Sequence, residues 1–363
     1  MPSRPLALFE SFLPGPDQRS FRFDGLEAVL EATTPAEVVP VLAAIEAAVA
    51  AGRHAAGFVS YEAAPGLDPA LSTHPGEKLP LLRFGIFTER CQVSPGTVAV
   101  PGECRLLEPQ PAWDEAAYAA AFAAVKNYIA AGDSYQVNLT LRERFRFWGE
   151  PFALYRRMCA AQPAAFCAWL DLGGTVIASA SPELFFARHG QQIVMRPMKG
   201  TAPRGTDARA DRRLRRELSS SVKERAENLM IVDLVRNDLG RVAVTGTVAV
   251  PALFVVESYP TLQQMTSTVS ARLRNDVGLV ELFRALFPCG SITGAPKRRS
   301  MAIIHELEAG PRGLYCGALG FVSPGAEAVL SVAIRTAVLD LDRGCGELGV
   351  GSGVTWDATA GAE

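Results

Sequence analysis

The chain has 363 residues, 48% hydrophobic and 20% charged, with 36 Lys and Arg against 38 Asp and Glu and a net charge of −2. That balance supplies core for one large domain or two ordinary ones, and no global field that would recruit nucleic acid or an anionic membrane. Its apolar stretches fall short of the ~20 residues of a membrane span, its N-terminus lacks the apolar core of a secretory signal, and seven cysteines without a CxxC pair read as reduced thiols of a cytoplasmic protein.

In chain order, residues 35–51 have helical spacing behind an N-terminal proline, and 55–63 read as a strand. Proline, glycine and weak periodicity over 88–112 predict a linker, dividing the chain into 1–110 and 111–363. Residues 113–133 form a long predicted helix, acidic in its first turn and stopped by Gly132. Alternation over 134–147 predicts a strand, and strands joined by turns continue to 198. A helical block is expected at 207–236, with further helices near 276–287 and 296–308. Strands are expected over 317–324, 328–342 and 347–354. Antiparallel-looking runs of strands with helices between them place the chain in the α+β class.

Several patterns fail as motifs. GVGSGV (349–354) lacks the strand–GxGxxG–helix order of a dinucleotide site and reads as a glycine-rich turn, whose N–H groups suit a carboxylate. GSITGAPK (290–297) lacks the spacing of a phosphate loop. RRLRREL (212–218) reads as a solvated helix face, and HELE (305–308) has no second histidine for zinc. Three acidic or basic positions carry more. Glu224 and Glu227, three apart, share a helix face that is either an exposed acidic edge or a hard-cation site suited to Mg²⁺. Glu183 lies among hydrophobic strand residues. It either faces solvent or points into an apolar cleft, where its pKa would rise and suit acid–base work. Lys199, in MRPMKGTAPRG (195–205), is a surface lysine, part of an anion cradle, or a reacting amine; glycine and proline on both sides impose a definite backbone shape.

Eight stretches together resemble the chorismate-utilising enzymes, in that family's order across residues 113–357: GDSYQVNLT (132–140), SPELF (181–185), RPMKGTAPRG (196–205), KERAENLMIVDLVRNDLGRV (223–242), FPCGSITGAPK (287–297), YCGALGF (315–321), IRT (334–336) and GVGSGVTWD (349–357). The resemblance implies a compound fold of two antiparallel β-sheets with flanking helices and the active site between them, completed by residues 1–110. LFES (8–11) is similar to the segment that binds an effector, such as tryptophan, near the start of family members.

The resemblance also implies roles. Gln136 stands where isochorismate and salicylate synthases carry a water-activating lysine. Lys199 and Asn138 are similar to the aminodeoxychorismate synthase branch and differ from the usual anthranilate synthase pattern. The implied activity is exchange of the carbon 4 hydroxyl of chorismate for ammonia from a separate glutamine amidotransferase subunit, a step toward 4-aminobenzoate and folate. Lys199 is implied as the nucleophile at carbon 2 and Glu183 as the acid for the departing hydroxyl. Tyr315, Arg335, Gly351 and Gly353 would hold the enolpyruvyl carboxylate, Thr293 the ring carboxylate, and Asn138 would line the substrate site. Glu227 with Glu224 would hold Mg²⁺. Family members continue into two glutamates three residues apart. Glu363 matches the first and the second is lacking, so a truncated chain or a differently built metal site is expected. Anthranilate synthase component I, and a chorismate-binding chain with weakened catalysis, are the alternative expectations.

Overall fold

The structure, a computed structural model, describes residues 4–13, 19–99 and 102–361. The strands are β1 (Ala7–Glu10), β2 (Ser20–Ala32), β3 (His54–Val59), β4 (Leu82–Val93), β5 (Cys104–Pro111), β6 (Gln136–Gly149), β7 (Phe166–Asp171), β8 (Thr175–Ser181) and β9 (Leu184–His189). They continue as β10 (Gln192–Arg196), β11 (Met198–Pro203), β12 (Ala249–Ser258), β13 (Leu262–Arg272), β14 (Gly294–Ala295), β15 (Ala318–Ser323), β16 (Glu327–Val332), β17 (Thr336–Asp340) and β18 (Cys345–Val354). The helices are α1 (Pro35–Ala50), α2 (Ala64–Leu67), α3 (Glu115–Ala130), α4 (Pro151–Ala161), α5 (Ala208–Ser220), α6 (Val222–Gly240), α7 (Leu279–Leu286) and α8 (Lys297–Leu307). Among the described residues no helix is long and apolar enough to cross a membrane.

Strand pairing resolves into two antiparallel arms. One runs β2–β4–β3–β15–β16–β9–β10–β13, with β11 and β12 also on β13. The other runs β1–β7–β8–β17–β18–β6, with β5 and β14 also on β6. The β1–β2 hairpin joins them into one hydrogen-bonded network. The α+β expectation of two antiparallel sheets with flanking helices is met. The central strands β7, β8, β15 and β16 are buried on both faces, which explains their Val-, Phe- and Ala-rich sequences. Phe9, Phe23, Phe58, Leu170, Ile177 and Phe321 meet between the sheets. The outer face of the first sheet packs on α1, α6 and α7 through Leu42, Val235 and Phe283. That of the second packs on α4 through Phe152 and Tyr155, while α3 and α8 cover β6 and β18 through Phe122 and Ile303.

Three expectations change. The predicted linker over 88–112 is largely strand: β4 stays paired with β2 as far as Val93, and β5 pairs with β6. From Arg105 onward β5 is exposed on both faces, so no alternation marks it; its partner's hydrogen bonds define it instead. The predicted strand at 55–63 ends at Val59 and turns into a short 3₁₀ segment, Tyr61–Ala63. The helical block at 207–236 is two helices, divided at Ser221, whose hydroxyl accepts the Glu224 N–H and caps α6.

Candidate active site

GVGSGV is the end of β18, as the strand expected over 347–354 has it and against its reading as a glycine-rich turn, and it pairs residue by residue with β6. Glycine serves there as a strand residue without a side chain, and the reason is local. A Cβ at Gly353 would lie 2.8 Å from Lys199 Nζ and 3.0 Å from Gln136 Nε2. Bare backbone is what lets an amine and an amide rest against the strand.

The Lys199 loop is shaped by a break in the first sheet. β10 and β11 run successively along β13, and the register shifts between Met198 and Thr201. Gly200 takes φ +92°, a conformation other residues rarely adopt, with Glu224 Oε2 3.0 Å from where its Cβ would be. Hydrogen bonds fix the bulge. Asn228 Nδ2 donates to the Lys199 carbonyl (3.3 Å), Ser267 Oγ donates to Asn228 Oδ1 (2.6 Å), and Gln264 Nε2 donates to the Gly200 carbonyl (2.8 Å). Arg204 anchors the loop's far end on Asp211 and the Tyr259 carbonyl.

Glu183, left open by the sequence, is buried in the turn between β8 and β9. Burial pushes its pKa up to about 7, against the lowering effects of a 2.6 Å hydrogen bond from Ser291 Oγ and of the Lys199 charge. A carboxyl that holds its proton near neutrality therefore sits within the field of the lysine. Beside them the Gln136 side chain is fully buried, and neither its Nε2 nor its Oε1 has a partner. Such orphans are rare in protein interiors and call for a partner the protein does not supply, a ligand group or a water.

Tyr315 and Arg335 lie farther along. The Tyr315 ring occupies the space a side chain at Gly349 would need, and burial raises the phenol pKa. Arg335 turns the chain between β16 and β17 at φ +52°; burial lowers its pKa, opposed by Tyr259, and its Nη1 is buried without a partner. Asn138 lies opposite Gly353, and Gly351 opposite Thr140, in the β6–β18 register. Thr293 is fully buried and turned inward: its hydroxyl donates to the Cys289 and Gly290 carbonyls of its own loop, while its carbonyl receives the Asn138 N–H. Lys297 bonds Asp238 (2.6 Å) and the Leu286 carbonyl, tying α8 to α6.

Glu224 and Glu227 do share a face of α6. Glu227 Oε1 accepts the hydroxyl of Thr355, just past β18, at 2.9 Å. Glu363 lies outside the described residues. Among the described residues no group of three His, Cys, Asp or Glu side chains converges as a cage. Two carboxylates on one helix face are nonetheless the donor chemistry of a Mg²⁺ that keeps several waters.

The LFES segment is largely β1. Glu10 is buried, receiving hydrogen bonds from Tyr155 Oη and Arg156 Nη1 at 2.7 Å each and from the Gly96 N–H at 2.8 Å. The reading of the residues missed a buried group. Arg312 donates to Glu308, Asn138 O and Ile292 O, and Glu308 also receives the Thr140 N–H and hydroxyl. A glutamate followed four residues later by an arginine was the available signal, but only the fold shows it is buried.

Residues 95–363 match the family described as chorismate binding enzyme. Aminodeoxychorismate synthase component 1 of Salmonella typhimurium is 44% identical over 246 residues, 68% of this chain and 54% of that protein. Aminodeoxychorismate synthase of Streptomyces griseus is 50% identical over 213 residues, 58% of this chain and 29% of that protein. The chain thus spans about half, or less, of the length of these relatives. Anthranilate synthase component I from Streptococcus pneumoniae shares the fold, with a TM-score of 0.82 at 23% identity over 97% of this chain and 91% of that one. With the family matched over three-quarters of its length and the same fold throughout, the chain belongs to the chorismate binding enzymes.

Proposed function

We propose that the chain acts as the aminating component of an aminodeoxychorismate synthase, converting chorismate and ammonia to 4-amino-4-deoxychorismate. One observation carries this reading: the Lys199 amine rests on the bare backbone of Gly353, within the field of a buried carboxyl that titrates near 7. The relatives named as aminodeoxychorismate synthases support it.

In this reading Lys199, in the fraction of molecules where its amine has given up its proton, attacks carbon 2 of chorismate. The ring double bond shifts, and the carbon 4 hydroxyl leaves as water with the proton of Glu183. Ammonia then attacks carbon 4, the double bond shifts back, the lysine is expelled as its free amine, and the proton shed by the new carbon 4 ammonium returns to the Glu183 carboxylate. One hard displacement becomes two easier ones. Glu183 is suited to the acid role because burial keeps it protonated where a solvated glutamate is ionised. Gln136, with its unpartnered amide, faces the reacting region without offering a base that would activate water. Arg335 and Tyr315 hold the enolpyruvyl carboxylate, with the Gly351 and Gly353 backbone beside them; Asn138 lines the site and Thr293 shapes the loop behind it. Glu227 and Glu224 would hold Mg²⁺, with Glu363 as a further ligand, and the ion would neutralise the ring carboxylate and orient the ring. Ammonia comes from a glutamine amidotransferase partner, and the setting is the cytoplasm.

The test is incubation with chorismate, Mg²⁺ and ammonium, followed by product identification and intact-mass measurement. Aminodeoxychorismate and a chorismate-derived adduct that disappears in Lys199→Ala are expected, with turnover falling on the order of 10³-fold or more. Anthranilate as product overturns the assignment. Undiminished turnover by Lys199→Ala, with no adduct on either protein, removes the nucleophile.

A further inference from the structure

The reaction site occupies only one end of the inner face of the second sheet. Strand alternation sets Gln136, Asn138, Thr140, Arg142 and Arg144 on one face of β6, with Gly353, Gly351, Gly349 and Glu347 on β18 beside them. Gln136 and Asn138 belong to the reaction site. Arg142 and Arg144 reach a separate cavity of about 420 Å³ at the other end, within the range of small-molecule sites. Thr140 also lines this second cavity.

The Glu308–Arg312 pair separates the two. Glu308 lines the cavity, while its partner Arg312 bonds the carbonyls of Asn138 and Ile292 behind the reaction site. Five acids line the cavity, Glu62, Glu77, Glu308, Asp340 and Glu347; Asp340 accepts the Arg343 N–H at 3.0 Å, and the two buried ones, Glu62 and Glu308, are occupied. Glu308 is paired with Arg312, and Glu62 accepts the Arg312 and Gly313 N–H groups at 2.6 and 2.9 Å. The cations are not. Arg142, Arg144 and Lys78 all line the cavity, and none makes a hydrogen bond or ion pair through its side chain among the described residues; the charge of Arg142 acts on buried Glu62. Glu347, although opposite Arg144 in register, leans to the Gly313 loop. Trp113, Leu79 and Val338 complete the lining with apolar surface.

We propose that this cavity is a second ligand site, taking a small carboxylate with a ring-sized apolar body. Two guanidinium forks on alternate residues of one strand suit a planar carboxylate, and the apolar wall accepts the ring. The assignment does not depend on the reaction proposed above.

The probe is benzoate, titrated calorimetrically into the full chain, Arg142→Ala/Arg144→Ala and Arg335→Ala. Benzoate is expected to bind wild type and Arg335→Ala alike, and at least tenfold more weakly to the double variant. Arg144→Glu, an exposed change that folding tolerates, is expected to weaken binding in the same direction. Unchanged affinity in both Arg142/Arg144 variants overturns the site. Loss confined to Arg335→Ala assigns the binding to the reaction site instead and also overturns it. Acetate or inorganic phosphate binding as tightly as benzoate overturns the apolar-bodied ligand class.

Discussion

At the scale of single residues, the site depends on what is omitted as much as on what is present. Gly353 leaves room for the Lys199 amine, so Gly353→Ala is expected to displace Nζ by the few tenths of an ångström to an ångström that orientation tolerates poorly. Adduct formation should slow by up to about 10²-fold, with little change in melting temperature because the obstructing atoms are ends of flexible side chains. Glu183 gives a pH prediction. Its ordinary carboxylate value of 4.5 rises to about 7 in the folded protein, so the native state holds the proton more tightly than the unfolded chain. The stability it contributes is complete below 4.5 and declines as pH rises through 7. Glu183→Gln should therefore flatten that part of the stability–pH profile while slowing turnover by about 10²- to 10⁴-fold. Wild-type adduct formation is expected to fall above pH 7, and the variant is expected to lack that fall. Thermal melts and intact-mass kinetics from pH 5 to 9 check both. Glu62, also raised to about 7 by burial, keeps its own share of the stability change in that variant.

At the scale of elements, the decisive feature is the break between β10 and β11 and its support from α6. Asn228 spans it, holding the Lys199 carbonyl on one side and the Ser267 hydroxyl on the other. Asn228→Ala removes the acceptor of the buried Ser267 O–H, whose oxygen keeps only the Phe254 N–H, and the side-chain donor to the Lys199 carbonyl; it is expected to cost about 1–3 kcal/mol in urea unfolding. It should also lower kcat more than it raises KM, because it loosens the amine proposed to attack rather than the groups proposed to grip substrate. An unchanged kcat with lost stability would confine Asn228 to the framework. The sequence announced this loop by its glycine and proline, since those residues restrict or free the backbone locally. It did not show the bulge, because register shifts belong to two strands at once. β5 escaped for a related reason: its exposed residues carry no periodicity, and only β6 makes it a strand.

At the scale of the whole molecule, Arg312 links the sheets. Its guanidinium reaches Glu308, the Asn138 carbonyl of β6 and the Ile292 carbonyl, lies over the Tyr61 ring at 4.7 Å, and its backbone N–H bonds Glu62 just beyond β3. Arg312→Ala leaves a buried carboxylate without its cation, and a loss of about 3–5 kcal/mol is expected in chemical denaturation. A loss below 1 kcal/mol would show that the pair does not brace the fold. The sequence by itself determined the family, the α+β class and most of the helices, because ordered motifs, helical periodicity and caps are local features of the chain. It also singled out Lys199, Glu183 and Arg335 as the residues to follow. Only the tertiary structure decided that Glu183 is buried, that an amine and a tyrosine ring rest against the glycines of 349–353, and that Thr293 turns into its own loop. Burial and close approach are properties of segments far apart in sequence, brought together by the pairing of two sheets.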